Sequence, residues 1–469
     1  MEGLFEEDER GAQLKYDVVV IGSGVGGYPA AISLARKGMK VAVVEEHLLG
    51  GECTNYGCVP SKAFYHIGEA TRALRKVGGS VEVAWEDLVE WSSSIVETAR
   101  RGVGYLLESY GVEVYSGRGV LKSKNRVLVQ GGESREIEGD KIILALGTDP
   151  RPLPHVDFDG MRIISNRDIF YLKEKPISVS IIGGGVVGVE TASMLANLGV
   201  QVNLFERESR VLPFLDQDVS TAVRNHLKQL GVKVMEGVSV SNVSKEAGGV
   251  RLRLSTGSEV ESDILMVAIG RLPKTSGVNL ENIGVELDSQ GFIKVSKTLE
   301  TSIPGIYAAG DVVGGPLLAH KAIVESLIVA RNIMGAQKTN IDYRLVPLTI
   351  FTGLEVASIG FTEKELNDMG VKYVRYKMPL NYLSAVKIKD GSYSFIKILA
   401  NEDSRKIYGV HIVSPNASET ISAFIPLALG KLLFEDVSDI PYPHLTVGEA
   451  LREIALFILG DPVHIVVRK

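Results

Sequence analysis

The amino-acid sequence predicts an α/β protein with two similar strand–turn–helix–strand units and a separate C-terminal α+β domain. In the first unit, an apolar run at residues 16–21 leads into a glycine-rich turn, a helix that stops at Gly38, and a second strand at residues 40–44. Residues 178–206 repeat this order. Each unit has the length that a parallel crossover needs, so each predicts a parallel sheet. From about Tyr343 the pattern changes to strands followed by helices, which indicates the third domain.

Shorter signals complete the predicted order of elements. Alternating runs at residues 112–115 and 126–129 predict antiparallel strands, and residues 264–269 predict another buried strand. The proline-rich residues 150–154 predict a linker. The acidic N-terminal residues resemble neither a secretory signal nor a transit peptide, which predicts a disordered tail on a cytoplasmic protein. The predicted segments are the tail (1–15), the first α/β domain (16–150 and 273–342), the second α/β domain (151–272) and the α+β domain (343–469).

Composition excludes several classes of partner. The chain has 469 residues, a net charge of −6 and a pI of about 5.9, and no Lys/Arg cluster stands out. We therefore expect neither a nucleic-acid partner nor an anionic membrane surface. No apolar run reaches the roughly 18 residues that a membrane span requires, so we expect no membrane insertion.

The chain has two cysteines, Cys53 and Cys58. Structural zinc needs about four ligands and no second pair exists, so we predict no metal site. A secreted protein stapled by disulfides would contain more cysteines, so the pair indicates redox chemistry; two buried packing thiols are the alternative. Residues five apart on a regular helix lie roughly 8–9 Å apart. A disulfide needs Cα atoms about 4.4–6.8 Å apart, so bonding would require a distorted turn, which Gly57 permits.

The turn of the first unit carries a glycine pattern typical of dinucleotide binding. Gly22, Gly24 and Gly27 form G-x-G-x-x-G between a strand and a helix. The first glycine allows a tight turn, the second lets a pyrophosphate approach the backbone, and the third allows close packing of helix and strand. The free N–H groups of the helix N-terminus favour the anion. Glu45 ends the next strand, where a carboxylate accepts hydrogen bonds from a ribose.

The second unit repeats the pattern with Gly183, Gly185 and Gly188, and its second strand ends in Glu206. A carboxylate at this position repels a 2′-phosphate, which favours NAD over NADP. Arg207 follows directly, and an arginine near this point can accommodate that phosphate. The sequence therefore predicts a preference for NAD and leaves its strictness open.

The segment around the cysteines, residues 50–62, resembles the redox-active disulfide motif of the pyridine-nucleotide disulfide oxidoreductase family. This family includes glutathione reductase and dihydrolipoamide dehydrogenase, and the sequence is most similar to the latter. The other segments that resemble the family are residues 145–148, 268–273, 301–311, 318–322 and 409–419. The resemblance implies Rossmann-like domains for FAD (16–150 and 273–342) and NAD (151–272), and a dimerisation domain at 343–469.

The resemblance also implies two sets of cofactor-binding residues. The residues implied for FAD are Gly22, Gly24, Gly27, Glu45, Gly51, Lys62, Gly119, Gly147, Asp311, Leu318, Ala319 and His320. The residues implied for NAD are Gly183, Gly185, Gly188, Glu206, Val240, Gly270 and Arg271.

By the same resemblance, Cys58 would lie against the flavin as the charge-transfer thiolate, and Cys53 would be the thiol that exchanges with the substrate. Lys62 and Glu190 would form an ion pair beside the flavin, where Lys62 tunes its electronics. An ordinary interdomain salt bridge is the alternative for this pair.

His444 and Glu449 match the C-terminal His and Glu of the family. An imidazole held by a carboxylate can take the proton of a thiol near neutral pH. In the family this base comes from the partner subunit, so the resemblance implies a homodimer with a shared active site. A surface histidine in a loop is the alternative.

Four residues depart from the pattern near the thiol pocket that the resemblance implies. Leu445 stands where the family usually has Pro, and Gly448 where it usually has Ser. Tyr442 replaces the first His of the His-x-His pattern of dihydrolipoamide dehydrogenases, and Leu354 replaces another usual Pro. These differences keep other disulfide substrates open.

We therefore predict an enzyme that oxidises dihydrolipoamide, free or on a lipoyl domain, and reduces NAD⁺ through the cysteine pair. One alternative is an NAD(P)H-dependent reductase of another low-molecular-weight disulfide. A second is a structural docking subunit of a 2-oxoacid dehydrogenase complex, and a third is an NADH oxidase or diaphorase whose cysteines are bystanders. Glu206 and Gly188 disfavour glutathione reductase itself, and the absence of C-terminal cysteines disfavours mercuric reductase.

Overall fold

The fold is taken from a computed structural model that describes residues 14–132, 134–335 and 340–465. Within these residues the strands are β1 (Leu14–Ile21), β2 (Val41–Glu45), β3 (Glu113–Ser116), β4 (Arg118–Ser123), β5 (Arg126–Gln130), β6 (Arg135–Leu144), β7 (Thr148–Pro150), β8 (Ile163–Ile164), β9 (Ser178–Ile182), β10 (Gln201–Glu206), β11 (Lys233–Glu236), β12 (Val240–Glu246), β13 (Gly249–Leu254), β14 (Glu259–Ser262), β15 (Ile264–Val267), β16 (Arg271–Pro273), β17 (Ile306–Ala308), β18 (Leu348–Ile350), β19 (Val356–Gly360), β20 (Val374–Pro379), β21 (Phe395–Ala400) and β22 (Ile407–Val413). The helices are α1 (Tyr28–Ala35), α2 (Gly51–Asn55), α3 (Cys58–Lys76), α4 (Trp85–Ser109), α5 (Val186–Asn197), α6 (Gln217–Gln229), α7 (Leu280–Ile283), α8 (Ala319–Ile333), α9 (Glu363–Asp368), α10 (Ser384–Ile388), α11 (Ala417–Thr420), α12 (Ile425–Ala428), α13 (Phe434–Ser438) and α14 (Glu449–Leu459).

The chain divides into two compact units, each assembled from three stretches of sequence. Unit 1 consists of residues up to Pro60, Glu90–Pro150 and Arg271–Tyr343, and unit 2 consists of Ser61–Val89, Arg151–Gly270 and Arg344–Lys469. Of the predicted N-terminal tail, residues 1–13 lie outside the described residues. Leu14 and Lys15 instead belong to β1, because they pair with Ile137 and Glu138 of β6.

Unit 1 is built on a mixed sheet in the order β3-β2-β1-β6-β5-β4, with β17 also paired to β6. Val18, Val19 and Val20 of β1 are 0% exposed, as expected for a strand of a parallel sheet that is covered on both faces. The prediction that residues 112–115 form an antiparallel strand is wrong: β3 runs parallel to β2. The strand predicted at 126–129 is β5, which is antiparallel to its neighbours.

Unit 2 contains the second strand–turn–helix–strand unit and the C-terminal sheet. Its parallel sheet has the order β11-β10-β9-β15-β8, and β12, β13 and β14 form a small antiparallel sheet. The C-terminal strands form an antiparallel sheet in the order β18-β19-β22-β21-β20, which we call the interface sheet. Every residue of β21 is buried, and the strand is paired with β20 on one side and β22 on the other.

The interface sheet carries its own apolar core. The buried residues Ile396, Ile398 and Ile412 pack with Phe424 and with the inner face of α14. This packing fixes the start of α14, the helix that presents Glu449. None of the helices in the described part of the chain is long and apolar enough to cross a membrane.

Candidate active site

The glycines of the first turn have the backbone and steric features that a dinucleotide requires. Gly22 has φ +99°, and a Cβ there would collide with the carbonyl oxygen of Ala145. A Cβ at Gly27 would collide with the carbonyl oxygen of Gly22. Gly24 differs, since its nearest neighbour would be Cα of Gly51 at 3.7 Å. The first and third glycines are thus required by packing, and the middle one leaves an open face that fits a pyrophosphate.

The second turn repeats this arrangement in unit 2. Gly183 has φ +110°, and a Cβ there would collide with the carbonyl oxygen of Ala268. A Cβ at Gly188 would collide with the carbonyl oxygen of Gly183, whereas a Cβ at Gly185 would meet nothing within 4 Å. Each turn therefore fits one dinucleotide.

The two strand-end carboxylates are held in the same way. Oε2 of Glu45 accepts the backbone N–H of Ser23 at 2.8 Å and its hydroxyl at 2.6 Å. Oε2 of Glu206 accepts the backbone N–H of Gly184 at 2.6 Å. Ser23 and Gly184 each follow the first glycine of their turn, so each carboxylate is fixed beside its glycine loop.

Asp311 follows Gly310 at the start of a 3₁₀ turn, and burial raises the pKa of its carboxyl. Its Oδ2 accepts the hydroxyl of Thr148 at 3.3 Å. Nε of Arg271 donates to the same hydroxyl at 2.6 Å, and the guanidinium also lies 3.1 Å from Oε1 of Glu52. Arg271, which the resemblance places at NAD, thus contacts residues of unit 1, the unit that carries most of the residues implied for FAD.

Cys53 and Cys58 form a disulfide, with Cα atoms 4.7 Å apart. Cys53 lies in α2 and Cys58 begins α3, so the helix is broken at Tyr56 and Gly57, which confirms the predicted distortion. A Cβ at Gly57 would lie 3.2 Å from the carbonyl oxygen of Glu52. Asn55 supports the turn, because its Nδ2 donates to the carbonyl oxygens of Leu49 and Gly51 at 2.9 Å each. Sequence reasoning missed Asn55, although its place between the cysteines was a signal.

Lys62 lies one turn after Cys58 on α3, and its Nζ is 2.9 Å from Oε2 of Glu190 on α5. The two side chains therefore form an ion pair, and its place beside the flavin stays a prediction. Oε1 of Glu190 accepts the backbone N–H of Phe351 at 2.8 Å, and the Lys62 ammonium lies 4.2 Å from the centre of the Phe351 ring. Phe351 therefore holds both members of the pair. No local pattern marks Phe351, because it is distant in sequence from both.

The C-terminal histidine and glutamate are also paired. Nδ1 of His444 lies 3.0 Å from Oε1 of Glu449, and the backbone N–H of Thr446 donates to Oε2 at 3.3 Å. The Glu449 side chain is 10% exposed and the His444 side chain 78% exposed. A buried carboxylate thus orients an accessible imidazole. With Nδ1 donating to Glu449, Nε2 is left to accept a proton.

The other implied residues lie at turns and helix starts. A Cβ at Gly51 would lie 2.7 Å from Cα of Gly24, so Gly51 brings the disulfide segment against the first glycine turn. The remaining positions are Gly119 against Ile21, Gly147 (φ +70°), Gly270 (φ +114°), Leu318 before α8, Ala319 and His320 at the start of α8, and Val240 at the start of β12. Unit 1 carries both cysteines, Arg271 and every residue implied for FAD except Lys62. Unit 2 carries Lys62, Glu190, His444, Glu449 and every residue implied for NAD except Arg271.

Comparison with known proteins places the chain among oxidoreductases. Residues 16–326 match the pyridine nucleotide-disulphide oxidoreductase family, and residues 346–455 match the dimerisation domain of the same family. The chain therefore belongs to the pyridine nucleotide-disulphide oxidoreductases, as the resemblance predicted. It is an enzyme of the flavoprotein disulfide oxidoreductase class, of the lipoamide dehydrogenase kind, with FAD and NAD(H) as its cofactors.

Its relatives cover nearly the whole chain. Mitochondrial dihydrolipoyl dehydrogenase of Pisum sativum is 35% identical over 464 residues, which cover 96% of this chain and 92% of the relative. Leghemoglobin reductase of Glycine max is 36% identical over 461 residues, covering 95% and 88%. The crystal structure of LpdA from Mycobacterium tuberculosis is similar with a TM-score of 0.89 and 26% identity, covering 95% and 99%. The HOCl-induced flavoprotein disulfide reductase RclA from Escherichia coli shares the fold at 24% identity, with a TM-score of 0.87 and coverage of 95% and 99%.

Proposed function

We propose that this protein is a dihydrolipoamide dehydrogenase, which oxidises the two thiols of dihydrolipoamide and reduces NAD⁺ to NADH. The observation that carries the proposal is the Cys53–Cys58 disulfide, formed at a break between two helices in a chain with two dinucleotide turns. Relatives at 35% identity are named dihydrolipoyl dehydrogenases, which supports the choice of substrate.

The first chemical step is removal of a proton from a substrate thiol. Glu449 holds Nδ1 of His444, so Nε2 accepts the proton and the imidazolium that forms is stabilised by the carboxylate. The match of residues 346–455 to a dimerisation domain supports a homodimer, in which each His444 serves the disulfide of the other copy. The cytoplasmic location stays a prediction.

The second step is thiol–disulfide exchange. The substrate thiolate attacks Sγ of Cys53, the Cys53–Cys58 bond breaks, and Cys58 leaves as a thiolate. The second substrate thiol then attacks the substrate sulfur of the mixed disulfide, and the bond from that sulfur to Cys53 breaks. Cys53 leaves as a thiol because it takes the proton held by His444, and the imidazole takes the proton of the second substrate thiol in its place. Lipoamide departs as a cyclic disulfide, and both electrons remain on the cysteine pair.

The remaining residues of the proposed site would bind and orient the two cofactors. When bound, FAD supplies the chemistry that carries the electron pair from a dithiol to a nicotinamide as a hydride. The first glycine turn, Glu45 and Asp311 would hold FAD, and the second glycine turn and Glu206 would hold NAD. Lys62, fixed by Glu190, would place a positive charge at the flavin.

The second candidate is a reductase of another low-molecular-weight disulfide. Two residues close to His444 in sequence favour it. Leu445 is 49% exposed, and Gly448, at the N-cap position of α14, has no side chain that could cap the helix. An apolar exposed side chain beside the base alters the surface that a thiol substrate would touch.

Steady-state kinetics with dihydrolipoamide and NAD⁺, and with NADH or NADPH and a panel of disulfides, separates the candidates. The proposal expects the highest kcat/KM with dihydrolipoamide and NAD⁺, and loss of that activity in Cys58→Ser. Undetectable oxidation of dihydrolipoamide beside rapid reduction of another disulfide would overturn it. Gel filtration with an isolated lipoyl domain tests the docking alternative, which expects complex formation without turnover.

A further inference from the structure

A buried ion cluster in unit 2 surrounds one lysine. Lys397 lies in β21 of the interface sheet, and its side chain is 0% exposed. Its Nζ donates to Oδ2 of Asp216, Oδ1 of Asp218 and Oε1 of Glu363, each at 2.8 Å. We call these four residues the Lys397 cluster.

The Lys397 cluster has the geometry of a cation site in which the cation is a side chain of the same protein. One oxygen from each of the three carboxylates lies within 4.8 Å of the others. The ammonium uses all three of its N–H donors on these oxygens. Lys377 contacts Asp218 at 2.8 Å and Arg375 contacts Glu363 at 3.5 Å, so three cations balance three carboxylates. Removing Lys397 would leave one buried and two partly buried carboxylates that repel each other.

Lys397 lies in a strand of the interface sheet that has a neighbouring strand on each side. β21 pairs with β20 and β22, which places Lys397 opposite Lys377 and His411. His411 is itself buried and fixed, with Nδ1 2.6 Å from the Ser358 hydroxyl and Nε2 3.1 Å from the carbonyl oxygen of Phe361. A side chain that starts from such a strand has little freedom to move.

One carboxylate of the cluster, that of Asp216, lies at the start of α6. Asp216 occupies the N-cap position of α6, where its carbonyl oxygen accepts the N–H groups of Val219 and Ser220 at 3.1 Å each. Its side chain makes no capping hydrogen bond to the helix. Instead, Oδ1 accepts the backbone N–H of Glu363 at 3.0 Å and Oδ2 accepts from Lys397. The Asp216 carboxylate therefore serves to attach α6 to the C-terminal part of the chain.

The loop between Glu206 and Asp216 connects this attachment to the second glycine turn. At one end, Glu206 accepts the N–H of Gly184 at 2.6 Å. In the middle, the N–H of Leu212 donates to the carbonyl oxygen of Gly184 at 2.8 Å. Leu212 has φ +48°, a left-handed conformation that a branched side chain rarely adopts, so the path of the loop is set by its surroundings. A shift of Asp216 would therefore reach Gly184 and Glu206 through the loop.

We propose that Lys397 is a positioning residue for the nicotinamide nucleotide, because it fixes Asp216 and, through the Glu206–Asp216 loop, the carboxylate that faces the ribose. The inference rests on the proposed function, since it takes Glu206 as a contact of NAD. Among the described residues, all three hydrogen bonds of Lys397 Nζ go to the carboxylates of its cluster. Loss of Lys397 should therefore weaken NAD binding and leave the exchange of thiols unchanged.

The test compares Lys397→Met and Asp216→Asn with Lys377→Met, which removes a partly exposed cation that contacts Asp218 of the cluster from outside. We expect KM for NAD⁺ to rise about tenfold in the first two variants and to stay within about twofold in the control. The rate at which dihydrolipoamide reduces the protein without NAD⁺, followed anaerobically by stopped-flow absorbance, should stay within about twofold of the unsubstituted protein. Asp216→Asn keeps the test decisive if Lys397→Met does not fold.

Glu206→Ala distinguishes failure of this inference from failure of the proposed NAD site. If Glu206→Ala raises KM for NAD⁺ but folded Lys397→Met and Asp216→Asn do not, the inference is wrong. If both half-reactions slow equally in the two variants, the cluster is only structural and the inference is also wrong. If Glu206→Ala leaves KM for NAD⁺ unchanged, the proposed NAD site itself is wrong.

Discussion

The ammonium of Lys62 lies 2.9 Å from one carboxylate oxygen of Glu190, and the other oxygen accepts the backbone N–H of Phe351 at 2.8 Å. Glu190 is thus held from two sides and cannot turn away from the lysine without losing a hydrogen bond. Lys62 and Cys58 lie one turn apart on α3, so they lie on the same side of that helix. The ion pair therefore fixes a positive charge on α3, one turn after Cys58 along that helix.

Replacing Glu190 with Gln should slow electron transfer while the protein stays folded. Gln keeps the size of Glu and can still accept the Phe351 N–H, but it removes the negative charge that fixes Lys62. We expect dithiol-dependent flavin reduction to be about tenfold slower, equivalent to about 1.4 kcal/mol in the barrier. Stopped-flow absorbance measures this rate. Glu208→Gln, at a side chain that is 53% exposed, is the matched control, and equal rates in the two variants would contradict the assigned role.

Both cysteines should be required for the oxidation of dihydrolipoamide. Cys53→Ser and Cys58→Ser each remove the disulfide, so each should reduce dihydrolipoamide oxidation by about 10³-fold or more. NADH should still reduce an artificial one-electron acceptor in both variants, because the nucleotide sites are intact. Full lipoamide turnover in either variant would favour the diaphorase alternative.

His444 should act as the base, and a second histidine provides an unusually close control. His464 also pairs with a carboxylate of α14, since its Nδ1 lies 3.0 Å from Oε2 of Glu453. We expect His444→Gln to lower kcat with dihydrolipoamide by about 10²–10⁴-fold and His464→Gln to have little effect. Glu449→Gln should cause a smaller loss, because it leaves the imidazole in place. Equal losses in the two histidine variants would show that the effect is structural.

Nucleotide choice should depend on Glu206. The backbone N–H groups of Gly184 and Glu208 hold this carboxylate at 2.6 and 2.7 Å, so its charge is fixed beside the second glycine turn. Glu206→Ala should lower kcat/KM for NAD⁺ about tenfold and narrow its advantage over NADP⁺, since the charge that repels a 2′-phosphate is removed. Steady-state kinetics with both nucleotides measures this. An unchanged ratio would mean that another residue discriminates.

Stability should fall in acid because of His226. Burial, followed by the nearby charge of Arg72, lowers the pKa of this imidazole to about 4. A folded-state pKa below the unfolded value of about 6.5 means that stability is complete above pH 6.5 and is lost as the pH falls toward 4. His226→Gln should therefore remove up to about 3 kcal/mol of the acid-dependent loss in the free energy of unfolding.

Urea unfolding at pH 7 and pH 4.5 measures that difference. His66→Gln, at an exposed position of α3, is the control and should keep the pH dependence of the unsubstituted protein. An identical pH dependence in His226→Gln would contradict the account.

Features set by nearby residues were accessible from the sequence, and features set by distant ones were not. The glycine turns, and the distortion at Gly57 that a Cys53–Cys58 bond would need, follow from spacing, because sterics and bond geometry act over a few residues. The disulfide itself was implied by the family resemblance. The direction of β3 was predicted wrongly, since it depends on which strand it meets rather than on its own alternation. Glu206 was predicted because it repeats the local pattern of Glu45, and its contact with a nucleotide stays a prediction.

The contacts that the sequence did not predict join residues that are far apart in the chain. Phe351 meets Glu190 across 161 residues, and Lys397 meets Asp216 across 181 residues. No periodicity links such positions, and a lysine in a strand gives no sign that it will be fully buried. Arg271 was assigned to NAD by resemblance, whereas its guanidinium lies against Thr148 and Glu52. Its contact with NAD stays a prediction.

The central claim is that electrons pass through the Cys53–Cys58 bond. The most direct measurement is anaerobic titration with dihydrolipoamide, following absorbance and counting the thiols that react with an alkylating agent. The account predicts two new thiols per chain, placed at Cys53 and Cys58 by peptide mapping, together with a long-wavelength absorption band that Cys58→Ser abolishes. Bleaching of the flavin with no new thiols at these positions would contradict it.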